Sequence, residues 1–327
     1  MDKIPLGSTG RQTTRLGYGC SSLMGAMGRR ESLAILEGAY DAGIRHFDVA
    51  PMYGYGEAEG CLGEFLTRHR SDITITTKYG IPPAKHSPLI KLARRVVGPV
   101  IKTLPGLKQR LARAANASTR NHERASFTAE QAQASLERSL TVLRTDYIDV
   151  WLLHEVEAVD LEDDGLLRFL EDQVAKGTIG TFGVGSEGVK VGSLLAQRRA
   201  YCRTLQFEWS VLDAPVSSSE SFRIHHRALT ANFRALREAL TRQPGLCRRW
   251  SASVGEDLSH SASLANLMLK TSLLMNPESV ILFSSKNPRH IQANVRVEGD
   301  SSIDSAARKF HELIRSEENP LLPGNSR

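Results

Sequence analysis

Four side chains that can donate, accept or stabilise a proton occur at related places along the chain. Asp48, Lys78 and His154 each end or directly follow a short apolar segment, and Tyr53 comes five residues after Asp48. A carboxylate, an ammonium group, an imidazole and a phenol that share one site can carry out general acid–base chemistry. Taken singly, each also fits a structural role, namely a helix cap, a surface charge, a strand-end histidine and a packed ring. The elements around them decide whether they meet.

Short β-like segments alternate with longer segments whose apolar residues recur at three- and four-residue spacing, which indicates strands alternating with helices. Eight strands with helices between them is the number found in a (β/α)8 TIM barrel, a fold of the α/β class. Turn residues at 7–10 predict a hairpin before the barrel. The predicted strands are 16–19, 44–49, 73–77, 147–153, 178–184, 204–207, 222–225 and 280–283. The predicted helices include 31–42, 57–68, 128–143, 164–176, 229–240 and 261–275.

The ends of the predicted strands are where the candidate side chains fall. Residues 146–154 are nearly continuously apolar, as expected of a parallel strand buried on both faces. Active sites of (β/α)8 barrels lie at the carboxyl ends of the strands, so this fold would bring Asp48, Lys78 and His154 together. Since no linker or repeat divides the chain, we predict a single domain over residues 1–327 with an inserted loop or lid at 81–125.

Residues 43–63 carry the most informative motif. In this stretch an aspartate ends a strand, a tyrosine follows five residues later, and a Glu-x-x-Leu-Gly helix start comes next. The arrangement strongly resembles the first signature of the aldo-keto reductases. Residues 77–78 and 146–154 resemble the strands that end in that family's lysine and histidine, in the same order. The resemblance covers most of the chain, and its spacing selects Tyr53 rather than Tyr55.

The resemblance implies an oxidoreductase that interconverts aldehydes or ketones, aldoses among them, and alcohols by hydride transfer. Tyr53 would be the general acid in reduction and the base in oxidation. Because the ordinary pKa of a phenol is near ~10, Lys78 would supply the cation that favours the anionic form. Asp48 would hold Lys78 charged and oriented, and His154 would hydrogen-bond to the carbonyl oxygen.

The segment around the predicted eighth strand has the layout of a phosphate site: an apolar strand, a polar turn with a cation, and a proline near a helix start. It resembles the family's adenosine-phosphate segment and implies NADPH, with NADH less favoured. By position, Lys286 and Arg289 would reach the 2′-phosphate and Asn294 the adenine, while His290 stands where the family usually has Arg or Gln. The cofactor residues predicted here are Ser284, Lys286, Arg289, His290 and Asn294.

The residues that would contact the nicotinamide match the family pattern less closely. The family has Ser-Asn after its fifth strand, where this chain has Gly185 and Ser186, so Ser186 would hold the carboxamide alone or the site has shifted. Gln206 matches the family glutamine that bonds the carboxamide. No ring-stacking aromatic is evident after the seventh strand, and residues 224–226 leave stacking by a histidine open.

The charge of the chain is concentrated in one segment. The formal net charge is +6, and residues 81–125 hold ten Lys and Arg against one Glu. A nucleic-acid-binding surface usually spreads basic residues over a folded face with aromatic rings for stacking, which this segment lacks, so we do not expect a nucleic-acid partner. The segment fits a solvated excursion or a functional lid equally well, and its charge could favour anionic substrates.

Cysteine spacing and hydropathy limit the kinds of site and the cellular location that the sequence predicts. The four cysteines are far apart and form no CxxC pair, so neither a metal site nor a disulfide framework is predicted. No apolar run reaches the ~18 residues of a membrane span, and the N-terminus lacks the layout of a signal peptide. We therefore expect a soluble, cytoplasmic protein without a membrane partner that acts on a small molecule. The sequence leaves its oligomeric state open.

Two other functions remain possible at this stage. Residues 183–188 satisfy GxGxxG, which raises a Rossmann-type dehydrogenase, although four predicted strands precede the motif and Arg203 stands where an acidic residue is expected. A regulatory NADPH-binding protein similar to the potassium-channel beta subunits would share the barrel and the four site residues. Within the reductases, the third strand and the long loop after it faintly resemble the sugar and pyridoxal dehydrogenases.

Overall fold

The computed structural model describes residues 1–25, 27–83, 126–213, 220–316 and 319–321. The basic loop or lid predicted at 81–125 lies outside the described residues from position 84 onward. The described part of the chain contains a two-stranded hairpin and a closed barrel of eight parallel strands. The hairpin strands are β1 (Lys3–Pro5) and β2 (Gln12–Thr14). The barrel strands are β3 (Leu16–Gly19), β4 (His46–Asp48), β5 (Thr74–Tyr79), β6 (Ile148–His154), β7 (Ile179–Gly185), β8 (Thr204–Glu208), β9 (Phe222–His226) and β10 (Ser279–Phe283).

Each barrel strand pairs with the next in chain order, and β10 closes the ring on β3. The predicted (β/α)8 barrel is therefore confirmed, and the N-terminal hairpin is antiparallel as its turn residues indicate. Helices of the described ranges lie around the barrel. They are α1 (Arg29–Asp41), α2 (Ala58–His69), α3 (Ala129–Leu143), α4 (Asp164–Ala175), α5 (Gly188–Gln197), α6 (Ala231–Arg242), α7 (Pro244–Val254), α8 (Ser261–Met275), α9 (Pro288–Gly299) and α10 (Asp304–Arg315).

Alternate residues of the strands face two different environments. Val150, Leu152, Ile224 and Val280 form a cluster inside the barrel, and Leu6 from the hairpin turn joins it with no exposed surface. The intervening strand residues pack outward in the larger cluster shared with the helices. This two-sided burial explains why the strands read as nearly continuous apolar segments.

Polar side chains also occupy the barrel interior, below the ends of β4 and β5. The Nδ1 atom of His46 lies 3.0 Å from the Thr74 hydroxyl, and its Nε2 atom lies 3.2 Å from the Thr76 hydroxyl. All three residues are buried. The two threonine hydroxyls give both ring nitrogens of His46 a hydrogen-bond partner, as a buried polar group requires. Asp48 and Lys78 follow on the same face, two residues further along β4 and β5.

The turn after β4 requires a glycine. Gly54 has φ +58°, and a Cβ atom at this position would lie 2.8 Å from the Met24 Cβ and against the Leu23 carbonyl oxygen. A residue with a side chain would therefore be strained in this left-handed backbone conformation, and its Cβ would clash with main-chain atoms that cannot move aside. The glycine lets the turn that carries Tyr53 pack against the residues following β3.

We predict that Gly54→Ala lowers the free energy of unfolding by about 2–3 kcal/mol, because it adds backbone strain and a steric clash. Gly38→Ala is the matched control. Gly38 lies inside α1, and a Cβ atom added there would have no neighbour within 4 Å, so alanine should stabilise by about 0.5–1 kcal/mol. Urea unfolding of both variants checks this, and equal effects of the two substitutions would contradict the constraint on the turn.

Candidate active site

A buried ion pair lies at the carboxyl ends of two neighbouring strands. Asp48 is the last residue of β4, and Lys78 is the fifth residue of β5. The Lys78 Nζ atom donates to Asp48 Oδ1 over 2.6 Å and to the Val49 carbonyl oxygen over 3.1 Å. Asp48 is 3% exposed and Lys78 is 1% exposed. Burial lowers the pKa of Lys78, but the charges of Asp48 and Tyr53 outweigh it and hold the pKa above its ordinary value. The ammonium group therefore stays charged.

Tyr53 begins the short helical turn that follows β4, and its ring faces the ammonium group. The Lys78 Nζ atom lies 5.2 Å from the centre of the Tyr53 ring. Burial is the largest influence on the phenol and raises its pKa, and Asp48 adds to the rise, while Lys78 opposes it. The influence of Lys78 on the phenol has the expected direction, but desolvation penalises the anion more strongly and the pKa of Tyr53 is raised overall. Tyr55, by contrast, is 37% exposed.

Two histidines end strands at the same rim of the barrel. His154 ends β6, and His226 ends β9 two residues beyond the interior residue Ile224. Burial, with the charge of Lys78 next, lowers the pKa of His154 to about 3. Burial lowers the pKa of His226 to about 4, against the opposing influence of Asp48. Both imidazoles are therefore neutral near pH 7, and the charge of Lys78 helps to lower the pKa of both. Sequence reasoning placed His226 only as an open possibility.

Gln206 reaches the ion pair from across the barrel. It lies on β8 and donates from Nε2 to Asp48 Oδ2 over 2.6 Å. Ser186, directly after β7, donates from its hydroxyl to the Val156 carbonyl oxygen over 3.1 Å, and its amide donates to the Gln206 carbonyl oxygen. The structure thus places the two residues predicted for the carboxamide side by side. The contact of Gln206 with Asp48 is one that sequence reasoning missed.

The predicted phosphate segment forms the exposed start of α9. Asn287 precedes the helix and its side chain accepts from the Arg289 amide over 3.0 Å, with Pro288 as the first helical residue. The Ser284 hydroxyl donates to the Gly19 carbonyl oxygen over 2.6 Å, which ties the segment to the end of β3. Lys286, Arg289 and His290 are exposed, and Asn294 is partly buried. Exposed cations at a helix N-terminus fit an anionic group such as a phosphate.

A second buried carboxylate supports the strand that carries Lys78. Glu59, in the first turn of α2, accepts a hydrogen bond from the Thr77 hydroxyl over 2.7 Å and is 5% exposed. Burial raises the pKa of Glu59, and the hydrogen bond from Thr77 opposes this. Gly63 lets α2 approach α3, because a Cβ there would lie 2.9 Å from the Leu143 backbone. The Glu-x-x-Leu-Gly part of the motif therefore packs α2 between β5 and α3.

The Rossmann alternative is wrong for this chain. Gly183 and Gly185 lie within β7, and Gly188 begins α5, in a closed barrel rather than an open sheet. A Cβ at Gly183 would lie 2.8 Å from the Thr204 Cα, so this glycine serves strand packing. Within the described ranges, no group of three or more His, Cys, Asp or Glu could hold a metal ion, and no helix has the length and apolar character that crossing a membrane needs.

Comparison with known proteins identifies the family. The sequence profile of the aldo/keto reductase family matches residues 15–232. Pyridoxal 4-dehydrogenase from Microbacterium luteolum is 44% identical over 82 residues, which cover 24% of this chain and 24% of that protein. D-threo-aldose 1-dehydrogenase from a Pseudomonas species is 33% identical over 185 residues, which cover 52% of this chain and 49% of that protein. The chain thus spans at most about half the length of these curated relatives.

Solved structures show the same barrel. An aldo-keto reductase from Bacillus halodurans in its holo form has a TM-score of 0.65 at 18% identity, covering 95% of this chain and 96% of that one. One from Klebsiella pneumoniae in complex with NADPH has a TM-score of 0.61 at 16% identity, covering 95% of each chain. Since the profile matches more than half of its length, the chain belongs to the aldo/keto reductase family.

The buried histidines predict how stability depends on pH. Burial lowers the pKa of His46 and of His225 to about 3, as it does for His154. Below pH ~6.5 such a histidine binds a proton in the unfolded state but not in the folded state. The free energy of unfolding therefore falls as the pH falls, by about 1.4 kcal/mol per pH unit for each such group.

We predict that His46→Gln reduces the loss of stability between pH 7 and pH 5, because glutamine can bond to Thr74 and Thr76 and carries no titrating proton. His260→Gln is the control, since His260 is exposed with 76% of its side chain accessible. Urea unfolding at pH 7, 6 and 5 measures the dependence. An unchanged pH dependence in His46→Gln, or an equal change in His260→Gln, would refute the role of the buried imidazole.

Proposed function

We propose that this chain is an NADP-dependent oxidoreductase that interconverts a carbonyl compound and an alcohol. The observation that carries the proposal is the buried contact of Lys78 with Asp48 beside the Tyr53 ring. Burying two charges costs about as much as their attraction returns, so such a pair is weak support for stability alone. A phenol placed against it has the arrangement expected of a group whose proton affinity is tuned for catalysis.

The proton path follows from the pKa directions. Tyr53 is protonated near pH 7 and would give its proton to the carbonyl oxygen during reduction. Lys78 would stabilise the phenolate that remains until solvent returns the proton, and Asp48 keeps the ammonium group charged and in place. A bound nicotinamide cofactor supplies or removes the hydride. In oxidation the same phenolate would accept the proton of the alcohol.

His154 is suited to bind the reacting oxygen. Its neutral imidazole carries one N–H, which can donate to the carbonyl oxygen as negative charge develops there. It lies at the end of β6, next to the strand that carries Lys78. A charged imidazolium so close to Lys78 would be unfavourable, and this is part of why its pKa is low.

The cofactor would lie across the rim of the barrel. Its phosphates fit the exposed start of α9, with Lys286 and Arg289 as candidates for the 2′-phosphate that distinguishes NADPH from NADH. Ser186 and Gln206 are candidates for the carboxamide of the nicotinamide. The remaining candidate contacts are Ser284, His290 and Asn294.

The substrate proposal rests on the relatives. The two named above are a pyridoxal dehydrogenase and an aldose dehydrogenase, and both names describe oxidation of a compound that carries a carbonyl group. We propose aldehydes with neighbouring hydroxyl groups, aldoses among them, as substrates of this chain. Two neutral histidines at the rim, His154 and His226, fit hydrogen bonding to such hydroxyls.

We predict that Tyr53→Phe retains cofactor binding but lowers kcat by roughly 10²–10⁴-fold, because the general acid is removed. Tyr55→Phe should be much milder, since Tyr55 is partly exposed on the same turn. Both variants are assayed at saturating NADPH with aldehydes and at saturating NADP+ with aldoses, with NADH and NAD+ in parallel.

Equal kcat for Tyr53→Phe and the wild type would contradict the assignment of the general acid. NADPH binding by the wild type without turnover of any carbonyl compound would instead favour the regulatory alternative. Turnover by the wild type separates the two failures, because only the first leaves a working enzyme, and fluorescence titration checks that the cofactor is bound in each assay.

A further inference from the structure

Asp48 has a second partner that the proton path does not require. Its Oδ1 atom accepts from Lys78 and its Oδ2 atom accepts from the Gln206 amide, each over 2.6 Å. The three residues are 1–4% exposed. Hydrogen bonds to a carboxylate inside a protein are charge-assisted and belong to the stronger kind. Both oxygens of Asp48 are therefore held from different sides.

The bond from Gln206 crosses the interior of the barrel. β8 pairs with β7 and β9, whereas Asp48 ends β4, which pairs with β3 and β5. The hydrogen bond thus joins two strands, β8 and β4, that do not pair with each other in the barrel. Its direction is fixed by chemistry, because a carboxylate only accepts and the amide nitrogen must face it.

The same side chain keeps further hydrogen-bonding capacity. A glutamine amide has two N–H groups and one carbonyl oxygen, and the contact with Asp48 uses one N–H. Gly185, which pairs with Gln206 on β7, has no side chain beside the amide, and even a Cβ there would only be in ordinary contact with Oε1 at 3.7 Å. Gln206 can therefore hold Asp48 and meet a carboxamide at once.

We infer that Gln206 is a positioning residue for proton transfer, in addition to any contact with the cofactor, and that it acts by fixing the Asp48 carboxylate that directs Lys78 toward Tyr53. This inference rests on the proposed function. The N–H dipole of Gln206 also offsets part of the Asp48 charge that reaches the phenol. Losing it leaves the phenolate less favourable, because a nearby negative charge opposes a second one.

The first test measures the pH dependence of kcat for alcohol oxidation at saturating NADP+. Gln206→Met keeps the side-chain volume and removes the bond, so the midpoint of the rise in kcat should move up by about 0.5–1 pH unit. Ser186→Ala is the matched control, since Ser186 bonds to Val156 rather than to Asp48. It should change cofactor affinity and leave the midpoint in place. An unchanged midpoint in Gln206→Met, or the same shift in both variants, would overturn the inference.

The second test needs neither cofactor nor turnover. Gln206→Glu sets a carboxyl group against Asp48, and two carboxylates at this distance must share a proton, so the pKa of the introduced group rises above its ordinary value near ~4.3. The stability of the variant relative to the wild type is then greatest below that ordinary value and falls as the pH rises through the folded pKa.

Between pH 5 and pH 8 the Tm difference from the wild type should grow by roughly 2–4 °C. Gln197→Glu makes the same change of charge on the exposed face of α5 and should show no such trend. Parallel curves for the two variants would show that Gln206 does not hold Asp48. If the wild type turns over no substrate, the proposed function is wrong, and the pH dependence of Tm still tests whether Gln206 contacts Asp48.

Discussion

A lysine ammonium group that is almost completely buried is the constraint on which the rest of the site depends. An unpaired charge in such a place would be strongly unfavourable, and the side chain would lose its proton instead. Asp48 and the Val49 carbonyl oxygen prevent this by accepting from Lys78 at 2.6 and 3.1 Å. The cation that results sets the electrostatics of its neighbours. It opposes the rise of the pKa of Tyr53 and helps to lower that of His154.

The barrel supplies this geometry through its register. Asp48 pairs with Thr76 across β4 and β5, so Lys78 stands two residues further along β5 and on the same inward face. On the outer face, Thr77 is held by Glu59 of α2, which fixes the strand where it carries the cation. Parallel strands in a closed ring place their carboxyl ends at one rim, and this is why residues far apart in sequence converge there.

The sequence predicts much of this arrangement, because the relevant signals are local. Apolar runs give the barrel strands within one or two residues, and the spacing of Asp48 and Tyr53 finds the turn that carries the phenol. Contacts between side chains across the barrel leave no such local signal.

The bond from Gln206 to Asp48 is one such contact, since no pattern along the chain reports that two side chains meet through the barrel interior. The net rise in the pKa of Tyr53 is another example, because desolvation depends on everything packed around the ring. Sequence reasoning identifies the groups and the sign of each pairwise influence. The net effect of burial and charge on a pKa can be judged only from the folded structure.

The central claim is that the Asp48–Lys78 pair is a coupled unit, and a double-mutant cycle in unfolding free energy tests it most directly. Lys78→Met alone leaves a buried carboxylate without its cation and should cost about 3–5 kcal/mol, as should Asp48→Asn alone for the stranded ammonium group. In the double variant neither charge is left alone, so we predict a cost well below the sum, with a coupling energy of at least about 2 kcal/mol. Additive losses, within about 0.5 kcal/mol, would show that the two side chains act independently and would contradict the account.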